Sequence, residues 1–357
     1  MPERKSKSKA RHKIEVGILG ATGTVGQQLA VLLAGHPWFD LKWIAASERS
    51  EGKHYAELPW RLPAPLPDEF ASLMVENLKP AVGPKLVFSA LDAGVAGEAE
   101  TKFATAGHVV VSNARNHRMD ALVPLLIPEV NADHLALIPL QQKKNGWRGA
   151  IVTNPNCSTI FLALALAALR RYVPKRVLVT TMQALSGAGY PGVASLDATS
   201  NVIPHIEGEE EKIEAETRKI LGRKTKDSIE LHRMAISATT TRVPVVNGHM
   251  ESVSVEFGKK ATREDILAAF HEFSGDPQKL GLPSAPAQPI VYHDSHDRPQ
   301  PRLDVERGKG MIVQVGRLRY CRVLDYKFVL LGHNTIRGAA GAAILNAEIL
   351  AAKNFLD

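Results

Sequence analysis

Cysteine is scarce in this chain. Two among 357 residues are too few for a disulfide framework, which points to a reducing, cytoplasmic setting. Aromatic residues make up only 6%, and none are interleaved with basic clusters in the manner of a nucleic-acid surface. Long apolar runs are missing as well. The longest, Ile160–Leu169, is too short to cross a bilayer, so no membrane partner is expected. Nor does an apolar segment follow the basic N-terminus, because Glu15 interrupts the run that Ile14 begins; this argues against a secretory signal. Excess charge is almost absent from the body of the chain. The net charge is +7, but residues 1–13 hold six basic residues against one acidic, so five of the seven excess charges sit there. Lys5 to Lys13 offer no large apolar side chain to pack. Residues 1–13 are therefore expected to form a solvated, disordered basic arm without a specific nucleic-acid partner.

What remains is ordinary globular composition, 45% hydrophobic and 23% charged, in a chain longer than one core usually supports. Strand-like runs at 14–19, 41–46, 86–90 and 108–112 alternate with helix-like segments at 25–33 and 95–106. That alternation predicts an α/β domain, a parallel sheet covered by helices on both faces. Pro59–Pro67 carries four prolines and is expected to be an irregular excursion. After a strand at 150–153 the texture changes. A helix at 158–171, an acidic helix at 207–221 and strands at 176–182, 234–243, 251–257, 311–318 and 321–330 predict an α+β domain with a mixed sheet. The Pro-rich stretch 282–301 reads as a loop, and the Ala-rich 335–353 as a helix returning to the first domain. The expected division is a dinucleotide-binding domain at 14–156 with the C-terminal helix 336–357, and a catalytic and dimerisation domain at 157–335.

The first strand runs into Gly20-Ala21-Thr22-Gly23-Thr24-Val25-Gly26, and a helix begins at once. The spacing is G-x-x-G-x-x-G. Its glycines still permit a tight turn, close approach of backbone to a pyrophosphate, and close packing of helix on strand, as in Rossmann-type sites. The second strand ends Ala46-Ser47-Glu48-Arg49-Ser50. Glu48 alone suits a ribose 2′-hydroxyl, but Ser47, Arg49 and Ser50 suit a 2′-phosphate, so the cofactor expected is NADP.

Asn154-Pro155-Asn156-Cys157-Ser158-Thr159 lies between a strand and an Ala/Leu-rich helix. Asn156 or Ser158 can cap that helix, placing Cys157 in its first turn, where N–H groups favour a thiolate. Cys321, in the run Arg319–Val323, reads instead as a small buried hydrophobe. The base expected beside Cys157 is His249, in the turn Asn247-Gly248-His249, and Arg242 is an available carboxylate anchor. The cluster His293-Asp294-Ser295-His296-Asp297 lacks metal-ligand spacing, and Leu185–Gly189 lacks G-x-S-x-G; neither a metal nor a serine hydrolase is expected. A nicotinamide site with a thiolate suits one chemistry: addition to an aldehyde, hydride loss and a thioester, or the reverse from an acyl phosphate.

At these residues the chain resembles the aspartate-semialdehyde dehydrogenase family in its archaeal and fungal form. The likeness is carried by GATGTVG (20–26), VFSAL (87–91), SNARNHRMD (112–120), VPLLIPEVN (123–131) and TNPNCST (153–159). It continues in TTMQALSGAGYPG (180–192), IEGEEEKIEAET (206–217), TRVPVVNGH (241–249), DRPQPRLD (297–304) and HNTIRGAAGA (333–342). The resemblance implies reduction of β-aspartyl phosphate to aspartate semialdehyde with NADP, toward lysine, methionine and threonine, by a homodimer or homotetramer. It implies Cys157 as nucleophile, His249 as acid/base and Gln183 as the glutamine orienting the substrate. Arg242 would grip the substrate carboxylate, Glu210 its amino group (with Glu209 and Glu211 as neighbouring registers), and Lys212, Arg118 and Asn113 the phosphate. Gly20, Thr22, Gly23, Thr24 and Val25, with Ser89, Ser186, Gly187 and Asn334, would lie on the cofactor side. Charge pattern alone would make Glu210 and Lys212 a solvated helix face. Asp92 stands where the family usually has proline, and Met250 where it has threonine. A malonyl-CoA reductase of the same superfamily, N-acetylglutamyl-phosphate reductase and a non-catalytic NADP sensor are the rival readings.

Overall fold

The structure, a computed structural model, describes residues 12–80 and 83–356; the basic arm expected at 1–13 lies almost wholly outside them. Ile14–Leu19 (β1), Phe39–Ala45 (β2), Val75–Glu76 (β3), Leu86–Ser89 (β4), Val109–Ser112 (β5) and Ala150–Thr153 (β6) form one sheet, ordered β3-β2-β1-β4-β5-β6. All its pairings are parallel. β4, β5 and β6 are buried at every residue, as strands covered on both faces must be. On one face Val16, Ile18, Phe88 and Val111 share a core with helix α1 (Thr24–Leu33); on the other, Leu19, Val87 and Val110 pack with Phe103 of helix α2 (Ala93–Ala106). The order reverses between β1 and β4. In such a sheet the crevice for a ligand opens there, at the carboxyl ends of the strands.

The second sheet contains Pro174–Gln183 (β7), Ala235–Arg242 (β10), His249–Phe257 (β11), Ile290–His293 (β12), Val313–Tyr320 (β13) and Tyr326–Gly332 (β14), in the order β10-β7-β11-β14-β13-β12. Parallel pairs at both edges flank antiparallel pairs in the middle, a mixed sheet; β8 (Arg223–Lys224) and β9 (Ile229–Glu230) make a small separate ribbon. Helices α3 (Cys157–Ala168), α4 (Glu209–Ile220) and α5 (Arg263–Glu272) cover one face and share its core with Val177, Val253 and Phe328. The opposite face of β7, β10 and β11 carries alternating exposed residues such as Leu178, Ser237 and Ser252. The chain then passes through a wide turn at Ile336–Ala340 into α6 (Gly341–Ala352), whose Ile344, Leu345, Ile349 and Leu350 are buried in the first sheet's core.

Three local expectations are corrected. The stretch 282–301 is not all loop, because Ile290–His293 pairs in parallel with β13, its prolines bracketing the strand. Cys321 does not lie within a strand. β13 ends at Tyr320, and the half-exposed thiol sits in the turn before β14, accepting from Leu324 N at 3.4 Å. His249 is not in a turn either; it opens β11.

Candidate active site

β6 delivers the chain to Asn154-Pro155-Asn156, and α3 starts at Cys157. The Asn156 side-chain oxygen accepts from Ser158 N (3.0 Å) and Thr159 N (3.3 Å), so Asn156 is the cap and Cys157 the first helical residue. Asn156 is itself clamped: its backbone N–H donates to Glu216 Oε2 (2.7 Å) and its side chain to Glu209 Oε2 (2.8 Å), both from α4. The apolar body of α3, buried from Ser158 to Leu166, anchors the loop against the second sheet.

Sheet register brings the other groups to the same place. Arg242 of β10 lies beside Gln183 of β7, and the antiparallel pairing of β11 sets His249 on the other side of Gln183, with Gly332 of β14 beyond. Because all three side chains lie on one face, they form a row directly below the N-terminus of α3. Gln183 Nε2 donates to Ser158 Oγ (3.1 Å), next to the thiol, and to Glu209 Oε2 (3.2 Å). One residue fixes the two ends of the row: Ala184 N donates to His249 Nδ1 (2.9 Å), and Ala184 O accepts from Arg242 Nη1 (2.8 Å). A Cβ on Gly187 would lie 2.9 Å from both Arg242 Nη1 and His249 Nε2, so the turn Leu185–Ala188 must carry glycine here.

The electrostatics describe a resting thiol. Burial, then the Glu209 charge, push the Cys157 thiol up to about 12, against the Ser158 amide, Arg118 and Arg242. Burial, then Arg242 and His333, bring His249 down to about 3. Both groups are therefore neutral at pH 7. With Nδ1 accepting the Ala184 amide, the neutral ring carries its proton at Nε2, which has no partner among the described residues.

The acidic residue of the site is Glu209, not Glu210. Glu209 opens α4 facing Asn156 and Gln183, whereas Glu210, one residue or about 100° further round, turns to β10 and accepts from Thr240 N (2.9 Å). Burial opposes ionisation of Glu209, but Lys212, Asn156 and Gln183 outweigh it and hold the carboxyl below the usual range. Lys212 Nζ bonds Glu209 Oε1 at 2.7 Å. Arg118 pairs with Glu216 at 3.0 Å and donates to Asn113 O at 2.8 Å. Asn113 in turn bonds Asn154 and the Ser89 carbonyl.

The glycine turn lies at the reversal of the first sheet. Gly20 has φ +80°, and a Cβ there would meet Ala90 O at 2.6 Å; one on Gly26 would meet Gly20 O at 2.3 Å. Gly23 caps α1 with no side chain, which leaves the first-turn N–H groups of α1 facing a cavity of about 440 Å³. Thr22–Val25, Ser50, Arg61, Ala90 and Asp92 line it, with Ala188–Tyr190 from the turn that follows the catalytic row. Ser47 and Arg49 are exposed beside Ser50 at the end of β2. Ser186 and Asn334 bond each other at 2.8 Å, and Asn334 Oδ1 accepts from Gly248 N (2.9 Å). Ser89 ends β4 beside this crevice but is fully buried: its hydroxyl donates to Glu100 at 2.6 Å and its carbonyl accepts from Asn113, so neither is turned to the cavity. Asp92 lines the cavity, while Met250 points to the face of β11 opposite His249.

Sequence reasoning missed several supports. Glu216 joins Arg118 to the cysteine loop, and Lys219 donates to the carbonyls of Arg118, Asp120 and Val123 at 2.6–2.9 Å, fixing the segment that carries Arg118. Both follow Glu209 on α4 at spacings of seven and ten, the helical repeat that could have exposed them. Arg61, from the proline excursion, stacks 4.2 Å over Tyr190; no local pattern announced it.

Two family models match: "Semialdehyde dehydrogenase, NAD binding domain" over residues 15–138, and "Semialdehyde dehydrogenase, dimerisation domain" over 166–337. The chain is 50% identical to an aspartate-semialdehyde dehydrogenase of Cryptococcus neoformans, covering 97% of this chain and 99% of that protein. It is 49% identical to the enzyme of that name from Archaeoglobus fulgidus, over 95% and 98%. Among solved structures, the Candida albicans aspartate-semialdehyde dehydrogenase with NADP superposes with a TM-score of 0.88 at 41% identity, covering 96% and 99%. A Vibrio cholerae enzyme complexed with ASA gives 0.77 at 27%, with the same coverage. Identity of this degree, over nearly the whole of both chains and with the thiol, histidine and arginine brought together, places the protein in the aspartate-semialdehyde dehydrogenase family.

Proposed function

We propose that the protein reduces β-aspartyl phosphate to aspartate semialdehyde with NADP as cofactor, releasing phosphate, on the route to lysine, methionine and threonine. The observation that carries this reading is the row Arg242–Gln183–His249 beneath Cys157, with Glu209 beside it. An aminoacyl phosphate needs an anion site, a cation site and a phosphate site around one nucleophile. Arg242 takes the carboxylate, Glu209 the ammonium, and Arg118 with Lys212 the phosphate. Cys157 sulfur displaces phosphate from the acyl carbon and forms a thioester, and the departing phosphate carries off the thiol proton. His249 Nε2–H donates to the carbonyl oxygen as charge gathers there, and Gln183 orients the group against α3. The bound substrate also changes the thiol: its ammonium neutralises Glu209, the charge that opposes the thiolate. When bound, the nicotinamide supplies the hydride. The free N–H groups of α1 suit its pyrophosphate, and Ser47, Arg49 and Ser50 suit a 2′-phosphate.

We assign cofactor binding to 14–156 with 336–357 and catalysis to 157–335. The open face of the second sheet is where a homodimer, or the dimer within a homotetramer, would form; the expected location is the cytoplasm. Among the described residues no helix is long and apolar enough to cross a membrane. A CoA thioester without an amine, as in malonyl-CoA reduction, would leave Glu209 with only Lys212 to answer its charge. The test gives the purified protein aspartate semialdehyde, phosphate and NADP, and separately malonyl-CoA with NADPH. Turnover of the first pair, lost in Cys157→Ala, is expected. Turnover of malonyl-CoA alone would refute the assignment.

A further inference from the structure

One row below Arg242–Gln183–His249, the same sheet face carries Thr240, Thr181, Glu251 and Leu330 on β10, β7, β11 and β14. One row lower still it carries Ala238, Val179, Val253 and Phe328, all apolar. The middle row is anomalous. Thr240, Thr181 and Glu251 are each 0% exposed, and both threonine hydroxyls and both Glu251 carboxyl oxygens lack a partner among the described residues. The hydroxyl of Thr159, on α3 two residues beyond Cys157, is buried and unpartnered in the same way. Glu251 and Thr181 face each other directly across β11 and β7, the spacing at which cross-strand side chains touch. Overhead, α3 lies close on β14, where Phe161 fills the space that a side chain on Gly332 would need.

A buried, unpaired carboxyl is costly, and an apolar residue of similar size would relieve that cost, as the row beneath shows. Groups retained against stability concentrate where activity needs them. Hydroxyl and carboxyl groups gathered within one layer supply the two to four polar partners that each internal water requires.

We propose that Glu251 is a positioning residue: with Thr181, Thr240 and Thr159 it binds a small cluster of internal water molecules that backs the row Arg242–Gln183–His249 and fixes its side chains against the cleft. The inference rests on the reading of that row as catalytic. The charged or titratable groups above Glu251 are His249 and Arg242 from the sheet and Cys157 from α3; β14 presents Leu330 and Gly332. None of them pairs with it, and burial alone raises the carboxyl well above its usual range, favouring the protonated form. The folded state holds a proton that the unfolded chain releases, so this group's contribution is intact below the unfolded value and is lost as pH rises toward the folded one.

Three variants test the assignment: Glu251→Gln, a neutral polar isostere; Glu251→Leu, which fills the site and removes its polarity; and Thr181→Val. Glu251→Gln is expected to keep kcat within about twofold and to melt higher than the native protein at pH 7. Glu251→Leu is expected to fold at least as stably, yet to lose about 10- to 100-fold in kcat at little change in KM, with an altered pH–rate profile. A native kcat and pH profile in Glu251→Leu would overturn the proposal. Should that variant not fold, Thr181→Val decides, with a several-fold loss of kcat expected and native turnover refuting. Alkylation of Cys157, which requires no substrate, is measured alongside. An altered rate in Glu251→Leu or Thr181→Val supports positioning even if the proposed substrate proves wrong.

Discussion

Substitution of Gly338 by alanine, in the wide turn after β14, tests how finely Cys157, the proposed nucleophile, is placed. A Cβ on Gly338 would stand 2.6 Å from Cys157 Cβ and 3.1 Å from its Cα, where ordinary contact begins at 3.4 Å. The overlap of about 0.8 Å has no flexible side chain to absorb it, because both ends are bound. Gly338 N donates to His333 O at 2.9 Å, and Cys157 is held by the Asn156 clamp. Overpacking of this kind costs about 1–3 kcal/mol of stability. A reacting atom displaced by about 1 Å can lose about a hundredfold in rate. Gly338→Ala is therefore expected to remain folded at 25 °C while kcat falls by about 10- to 100-fold. Gly94→Ala is the control, since nothing lies within 4 Å of a Cβ there and Gly94 is in the first turn of α2. Thermal melting and steady-state turnover on both variants separate misplacement from unfolding. If Gly338→Ala turns over at the native rate, the thiol is not positioned by this contact and the argument fails.

Two further outcomes follow from the charges. In the free protein, with the Cys157 thiol pushed up to about 12, its alkylation by iodoacetamide should climb about tenfold per pH unit between pH 7 and 10. Mass spectrometry of the Cys157 peptide would follow it, and a plateau below pH 9 would contradict the neutral resting state. Arg49→Ala should raise KM for NADP about 10-fold or more and leave KM for NAD nearly unchanged, as loss of a charge-assisted bond to a 2′-phosphate predicts; equal effects on both would assign Arg49 elsewhere.

The parts of this molecule that repeat locally were legible in its sequence. Strand–helix alternation announced the parallel sheet because each buried strand is a short apolar run, and Asn156 and Ser158 together announced the start of α3, with the choice of Asn156 as cap left to the structure. What escaped was set by rotation and by register. Three consecutive glutamates at 209–211 differ only in the direction each faces on α4, and that direction depends on how the helix lies against β10 and the cysteine loop. His249 looked like a turn residue because Gly248 precedes it, yet pairing with Gly332 draws it into β11. The strand read from 251 onward left the facing of Glu251 open; it shares the inward face with His249 and Val253 because the strand alternates from His249 onward. Ser89 fitted a cofactor-side position, and only the contact with Glu100, eleven residues on, shows its hydroxyl turned inward.

The neutral resting state of Cys157 has a consequence for oxidative damage. Peroxides attack thiolates, so a thiol held protonated until substrate arrives is poorly reactive toward them while the protein idles. Cys321 is in the opposite condition: half-exposed in its turn, and shifted downward chiefly by the Leu324 amide. β14 separates this turn from Gly332, beside His249, by about 20 Å of extended chain. The first cysteine expected to be lost to an oxidant is thus Cys321, which the proposed thioester chemistry does not use.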